Sequence, residues 1–483
     1  MTHKTLLGAL LLSGALAVTA VAQVKPVLPS DAAARPRTPE AQKILDASTA
    51  ELMREMKILG IRQLRTPKEA VFPGKPDFAN YDEAKSDPYP NLPPLMTLKD
   101  GGKVTDKASW DRRRAEIKAL FDSEVYGKYP KVLPKVTWTV TGTERKDVDG
   151  VPAVIKHVTG HVDNAADPAI AVAIPVTVVT PAAAKGRKVP VIIGGGNLTS
   201  RFSLNGPDPI LRIPGSSMCM LLGPQTPPST RQLLQKGWGF VSVDVNAVQA
   251  DNGAGLAEGI IGLVNKGRPR KMDDWGVLRA WAWADSRALD YLQTDPDVNG
   301  KAVGIMGHSR GGKAALVALV DDPRFAIGFI SSSGAGGANL YRRNHGELPE
   351  NVAAPNEFHW MAGNFLKYNA VGHTIDELPV DSHEFIALVA PRPVFFGGGG
   401  YVSTPACAVP GDDWQDAHGV FKAAVAAGPA WAIYGKKGLE TATFPKVETF
   451  LPNGAIGFRQ HPYGHTPTPN WSYFITFASK YLK

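Results

Sequence analysis

Apolar and polar positions change rhythm along this chain. In WDRRRAEIKALFDSEVYG, Trp110 to Gly127, the apolar residues Ile117, Leu120, Phe121 and Val125 recur at helical spacing and predict an amphipathic helix. A further helical stretch is expected near Thr38 to Ile61, followed by a Pro-rich loop from Thr66 to Pro94. After Pro130 the rhythm shortens. VTWTVTG, VPAVIKHVTG, AIPVTVVTP and VPVIIGGG are short β-branched runs that read as strands. From there, strand and helix alternate. GFVSVDV is a strand and WGVLRAWAWADSRALDYLQT a long helix; AVGIMG is a strand and GGKAALVALV a helix. FAIGFISSS and RPVFFGGGG are strands, and HEFIALVAP, WQDAHGVFKAAVAAG and the closing WSYFITFASKYL are helices. This alternation predicts an α/β fold around a mostly parallel sheet. There is no internal repeat and no clean linker.

Composition narrows the class. The chain has 483 residues, 43% hydrophobic and 20% charged, the balance of a soluble globular protein with a core of enzyme size. Its first residues pair a basic Lys4 with an apolar run, Leu6 to Val18, and a small-residue pattern, Ala20-Val21-Ala22. A secretory signal peptide over residues 1–22 is therefore expected, with an exported mature protein that has no membrane span. Residues 23 to about 42 read as a flexible lead-in. Export permits disulfides, but Cys219 and Cys407 are the only cysteines; they could pair, and neither has metal-site spacing. The net charge of +8 reads as a solvated surface. The densest basic run, KGRPRK (Lys266 to Lys271), contains Pro269 and no aromatic residue, so it reads as a loop and no nucleic-acid partner is expected.

The chemistry is concentrated in GHSRGGKAAL, Gly307 to Leu316. Its context is strand, Gly-x-Ser-x-Gly, helix, the pattern of a nucleophile elbow. The turn is so tight that side chains on the neighbouring glycines would collide, and Ser309 is held at its tip. The helix N-terminus then points at the anion formed during acyl transfer. A nucleophilic serine needs a base and an orienting acid, in the chain order serine, acid, histidine. AIGFRQHPYGHTPTPNW offers His461 and His465; His465 lies in the loop before the final helix, where the base is expected, and His461 reads as a packing residue. The acid should follow RPVFFGGGG, in a loop that carries Asp412, Asp413 and Asp416; spacing alone does not choose among them. The oxyanion hole needs N–H groups from Arg310 and from the Gly194–Gly196 loop.

These segments resemble those of the bacterial glucuronoyl esterases, a carbohydrate esterase family, from about Trp110 to the C-terminus. The elbow Ser309-Arg310-Gly311-Gly312-Lys313 resembles the family's Ser-Arg-x-Gly-Lys. DDWGVLRAWAWADSRALDYLQTDPDVNGKAVGIMGHSR, LYRRNHGE, FHW, IALVAPRPV, GDDWQD and GHT follow in the family's order. The resemblance implies an α/β-hydrolase fold, a three-layer sandwich with a mostly parallel central sheet, over residues 110–483, with residues 23–109 as an N-terminal extension packing on that core. It implies Ser309 as nucleophile, His465 as base and, from the Asp-x-Trp spacing, Asp412 as acid. Arg310 would turn its guanidinium to the oxyanion, Lys313 and Glu347 would hydrogen-bond the ring hydroxyls, and Trp414 would pack on the sugar. Many members carry a glutamate after the sixth strand; that place falls at Ala335 here, in SSSGAGGANL, which favours Asp412. The loop from Gly397 to Gly411 is long for the family. The expected substrate is a glucuronoyl ester of xylan, such as a lignin–carbohydrate ester, with no metal or other cofactor. An acetyl xylan esterase would use the same triad. A carbohydrate-binding protein without activity would lack part of it, and a peptidase on this fold would carry propeller repeats, which are absent.

Overall fold

The β-branched runs pair into strands, and the continuous apolar ones lie at the centre. The computed structural model describes residues 38–70, 72, 74–194, 210–212, 218–221, 227–400, 409–410 and 412–483. The expected signal peptide, Gly195, Gly196, Cys407 and most of the loop after Gly400 lie outside the described residues, as does the side chain of Cys219. The strands are β1 Val136–Val148, β2 Val151–Val162, β3 Ala173–Pro181, β4 Val189–Gly194, β5 Ile210–Arg212, β6 Met218–Leu221 and β7 Gly239–Val243. They continue as β8 Val298–His308, β9 Ile327–Ser331, β10 Val394–Gly399, β11 Val409–Pro410, β12 Phe450–Leu451 and β13 Ile456–His461.

Ten of these form one sheet in the order β1-β2-β3-β7-β4-β8-β9-β10-β13-β12. From β7 through β4, β8, β9 and β10 to β13 every neighbour is parallel. The β1–β2–β3 meander adds antiparallel to β7 at one edge, and β12 adds antiparallel to β13 at the other. The β1–β2 hairpin turns at Asp149-Gly150, both with positive φ (52° and 83°), a pairing suited to a tight hairpin. β9, β10 and β13 are buried along their whole length, as parallel strands covered on both faces must be. Their side chains alternate between two cores. Val394 and Phe396 join one, with Val191, Ile193 and Ile330; Phe395 joins the other, with Ile192, Ile327 and Phe329. The first core holds helices Val277–Leu292 and Arg310–Asp321, the second the C-terminal helix Trp471–Ala478. The result is the expected three-layer α/β-hydrolase architecture.

The expected amphipathic helix spans Lys107–Glu124, starting before Trp110 because Asp106 and Ser109 form a reciprocal cap. The first described helix, Pro39–Ile58, is capped by Thr38 and places Leu52 and Met56 in the first core. Its Glu55 is fully buried and paired at 2.7 Å with Arg270. That arginine belongs to KGRPRK, so this basic loop is partly internal.

Candidate active site

The tight turn at the elbow follows from sterics. A Cβ on Gly307 would lie 1.9 Å from the carbonyl oxygen of Gly311, so only glycine lets strand β8 pass directly into the helix Arg310–Asp321. Between them Ser309 takes φ 58°, ψ −131°, a strained conformation for a residue with a side chain. Its N–H donates to the Ser331 carbonyl of β9 (3.0 Å), and its own carbonyl accepts from Gly312 and Lys313 (2.8 and 3.2 Å). The serine is thereby fixed at the carboxyl edge of the sheet, against the unpaired N–H groups of a helix N-terminus.

His465 follows β13. Its Nδ1 lies 2.7 Å from Oδ1 of Asp412, and the carboxylate acceptor fixes the proton on Nδ1 and leaves Nε2 as an acceptor. Its ring lies 4.2 Å from that of His308, the residue before Ser309, which brings it beside the elbow. Burial, reinforced by His465 and His461, holds His308 well below the ordinary histidine range, so the neighbour of the base is neutral. His461 is fully buried, and its Nε2 donates to the Thr466 carbonyl (2.8 Å), bracing the loop that carries His465.

The three candidate acids separate. Asp412 is 1% exposed; besides His465 it accepts from the Ser332 hydroxyl (2.7 Å) and the Gly399 N–H (2.5 Å). Asp413 lies 3.2 Å from His345. Asp416 is buried on Arg343 (2.8 and 3.1 Å) and caps the following helix through Gly419 N–H. The residue after β9 that reaches the acid is Ser332, not Ala335. Ala335 instead supplies backbone: its N–H donates to Glu347 and its carbonyl accepts from Lys313.

Lys313 lies one turn along the helix from Ser309 and is 2% exposed. Its ammonium donates to Ser333 O (2.8 Å), Ala335 O (2.6 Å) and Glu347 Oε2 (2.8 Å), so all three donors have protein partners. The loop bearing Glu347 approaches Trp414 closely. A Cβ on Gly346 (φ 60°) would lie 2.4 Å from the Trp414 carbonyl, which itself accepts the Glu347 N–H at 2.8 Å. Trp414 is half-buried. Residues 80–86 brace the other side of this loop. Asn80 O accepts from Gly346 N–H, Ser86 O accepts from Asn344 N–H, and the Ser86 hydroxyl meets His345 Nδ1 at 3.0 Å.

Two acidic residues that the sequence pattern does not mark belong to this site. Burial, and then the charge of Glu347, push the Glu357 carboxyl up to about 8 against the opposing pull of Lys313 and Arg310, and its Oε2 has no hydrogen-bond partner. Asp251 accepts from Arg310 Nη1 at 2.7 Å, and the Arg310 guanidinium carbon lies 5.1 Å from the Trp360 ring centre. FHW was visible as a segment, but the acids beside it lie in irregular chain with no periodicity to expose them.

Residues 268–424 match the family model described as glucuronyl esterase, fungi. A carbohydrate esterase, MZ0003, from an unknown prokaryotic organism is 32% identical over 446 residues, covering 86% of this chain and 95% of that protein. A 4-O-methyl-glucuronoyl methylesterase of Schizophyllum commune is 25% identical over 62% of this chain and 65% of its own length. Among solved structures, a glucuronoyl esterase of carbohydrate esterase family 15 from Teredinibacter turnerae is 37% identical with a TM-score of 0.79, covering 90% of this chain and 99% of that one. A glucuronoyl esterase from Solibacter usitatus is 33% identical with a TM-score of 0.68, covering 82% and 99%. With an elbow serine and a carboxylate-bound histidine on this fold, the chain belongs to the glucuronoyl esterases of carbohydrate esterase family 15 and is a carboxylic ester hydrolase.

Proposed function

We propose that the protein cleaves esters of (4-O-methyl-)glucuronoyl groups of xylan, lignin–carbohydrate esters among them, through an acyl-enzyme on Ser309. The observation that carries this reading is the Asp412–His465 hydrogen bond beside the elbow, with the Lys313–Glu347 pair one helical turn from the nucleophile. Ser309 Oγ attacks the ester carbonyl while His465 Nε2 takes its proton. The negative oxygen is met by the Arg310 N–H and by the Arg310 guanidinium. Collapse expels the alcohol, which takes the proton from His465. Water then attacks the acyl carbon with His465 again as base, releasing the uronic acid and restoring the Ser309 hydroxyl. Asp412 keeps the imidazole in the productive tautomer throughout.

Ring recognition falls to Lys313, Glu347 and Trp414, joined by Glu357. A protonated Glu357 donates to one sugar hydroxyl and accepts from another. Because the donors of Lys313 are already engaged, the lysine meets a hydroxyl by sharing a donor with a backbone carbonyl, while it holds Glu347 in place. Residues 1–22 direct export and are removed, and within the extension over residues 23–109 it is residues 80–86 that brace the site. Hydrolysis rates on benzyl glucuronate, methyl glucuronate and acetylated xylan test the substrate. Turnover of the glucuronate esters with little release of acetate is expected; the reverse order would replace this reading with an acetyl xylan esterase.

A further inference from the structure

Asp251 lies between the short helix Val245–Val248 and the turn Gly253–Ala257, remote in sequence from Ser309. Its carboxylate is gripped from three directions. Oδ1 accepts from His359 Nε2 (3.0 Å) and from the Trp360 indole N–H (2.7 Å); Oδ2 accepts from Arg310 Nη1 (2.7 Å). His359 and Trp360 are themselves buried, so they form a rigid floor. Burial alone would raise the Asp251 carboxyl. The hydrogen bonds from His359 and Trp360 and the nearby charge of Arg310 outweigh burial and hold it well below the carboxylate range, so it is ionised at working pH. Burial holds His359 below its ordinary range, so it acts as a neutral donor.

Arg310 has the opposite problem. Its side chain is 53% exposed, and a free arginine carries about 2 kcal/mol of rotamer entropy. A donor that must be recruited as charge develops stabilises a transition state less than one already in place. The salt bridge on one side and the Trp360 ring on the other leave the guanidinium little freedom. A carboxylate near a developing oxyanion would by itself be repulsive. Here its charge is shared among three donors, which leaves orientation as its main effect.

We propose that Asp251 is a positioning residue for ester hydrolysis: seated on His359 and Trp360, it holds the Arg310 guanidinium beside Ser309 before the oxyanion forms. This inference rests on the reading of Arg310 as an oxyanion donor. The test is a cycle of four proteins, wild type, Asp251→Asn, Arg310→Ala and the double variant, assayed on a glucuronate ester. Asp251→Asn should lower kcat about tenfold with KM nearly constant, a fraction of the roughly 10²–10³ lost when an oxyanion donor is removed. In the Arg310→Ala background the same change should cost less than about twofold, because the group it positions is gone. An equal loss in both backgrounds would show that Asp251 acts independently of Arg310 and would overturn the proposal, as would an unchanged kcat for Asp251→Asn. If Arg310→Ala itself leaves kcat unchanged, the oxyanion reading fails first, and the cycle shows this separately. Should Asp251→Asn fail to fold, Trp360→Phe removes one hydrogen bond and keeps an aromatic ring. It should lower kcat about two- to fivefold only where Arg310 is present; a loss of the same size without Arg310 would again overturn the proposal.

Discussion

Replacing Asp412 by asparagine tests the proposed triad at its most constrained point. The wild-type carboxylate accepts three hydrogen bonds, from His465 Nδ1–H, the Ser332 hydroxyl and the Gly399 N–H. An asparagine keeps the shape but offers one acceptor oxygen and one donor group. If the amide oxygen stays with Ser332 and Gly399, its NH₂ faces His465, which must then carry its proton on Nε2 and cannot receive one from Ser309. If the amide turns over, His465 keeps the productive tautomer, but the NH₂ meets the buried Gly399 N–H. The serine hydroxyl can rotate to accept from it; the backbone N–H cannot. That orphaned donor costs about 1–3 kcal/mol, so roughly one molecule in six to one in a hundred and fifty is productive. The productive fraction also lacks the charge that supports the imidazolium. Together these give an expected loss in kcat of about 10²–10⁴ on methyl or benzyl glucuronate. Thermal unfolding of the same sample checks that the fold persists. Activity within tenfold of wild type would refute the reasoning, and so would an equal loss in folded Asp413→Asn. Asp416→Asn should act mainly by lowering Tm, because Asp416 holds Arg343 and a helix start.

Three further outcomes rest on backbone strain at Ser309 and on two buried groups. Ser309→Gly should abolish hydrolysis while leaving Tm equal or higher, because a side chain at φ 58°, ψ −131° costs about 1–3 kcal/mol; a Tm well below wild type would contradict that account. Lys313→Met should raise KM for glucuronate esters and also lower Tm, since an unpaired buried Glu347 costs about 3–5 kcal/mol; Tm should recover in part when Glu347→Gln is added, and failure to recover would count against the pair. Asp285 is fully buried, and its Oδ1 has no partner; burial pushes its carboxyl up to about 8. The folded chain thus keeps a proton that the unfolded chain releases near about 3.9, and this group's contribution to stability is lost as pH rises between those values. Asp285→Asn should accordingly gain more Tm over wild type at about pH 9 than at about pH 5, and an equal gain at both would refute the assignment.

What could be read from the sequence was what short chain segments decide. A strand, Gly-x-Ser-x-Gly and a helix determine an elbow because the collision at Gly307 lies within four residues of the serine. The buried parallel strands β9 and β10 are likewise local, since their short runs of apolar residues and glycine are enough to mark them; β13 is equally buried but carries Arg459, Gln460 and His461, so its sequence does not mark it. The choice among Asp412, Asp413 and Asp416 is not local. All three lie within one irregular turn, and what separates them is which partner each meets: His465 with Ser332, His345, or Arg343. The slip from Ser332 to Ala335 has the same origin. The chain leaves β9 through a positive φ at Ser332 (44°), so the first residue past the strand turns its hydroxyl to Asp412 while the backbone three residues later serves Glu347. Counting along a strand cannot follow a reversal of that kind. Lys313 shows the limit most clearly. Its helical position follows from the sequence, but its role changes once Ser333 O, Ala335 O and Glu347 are seen to take all its donors. A lysine free in solvent would bind sugar as a mobile charge. One engaged at three points instead fixes the carboxylate beside it, so the proposed recognition of the uronate ring would act through a rigid Lys313–Glu347 unit, and a change at either residue should be felt through the other.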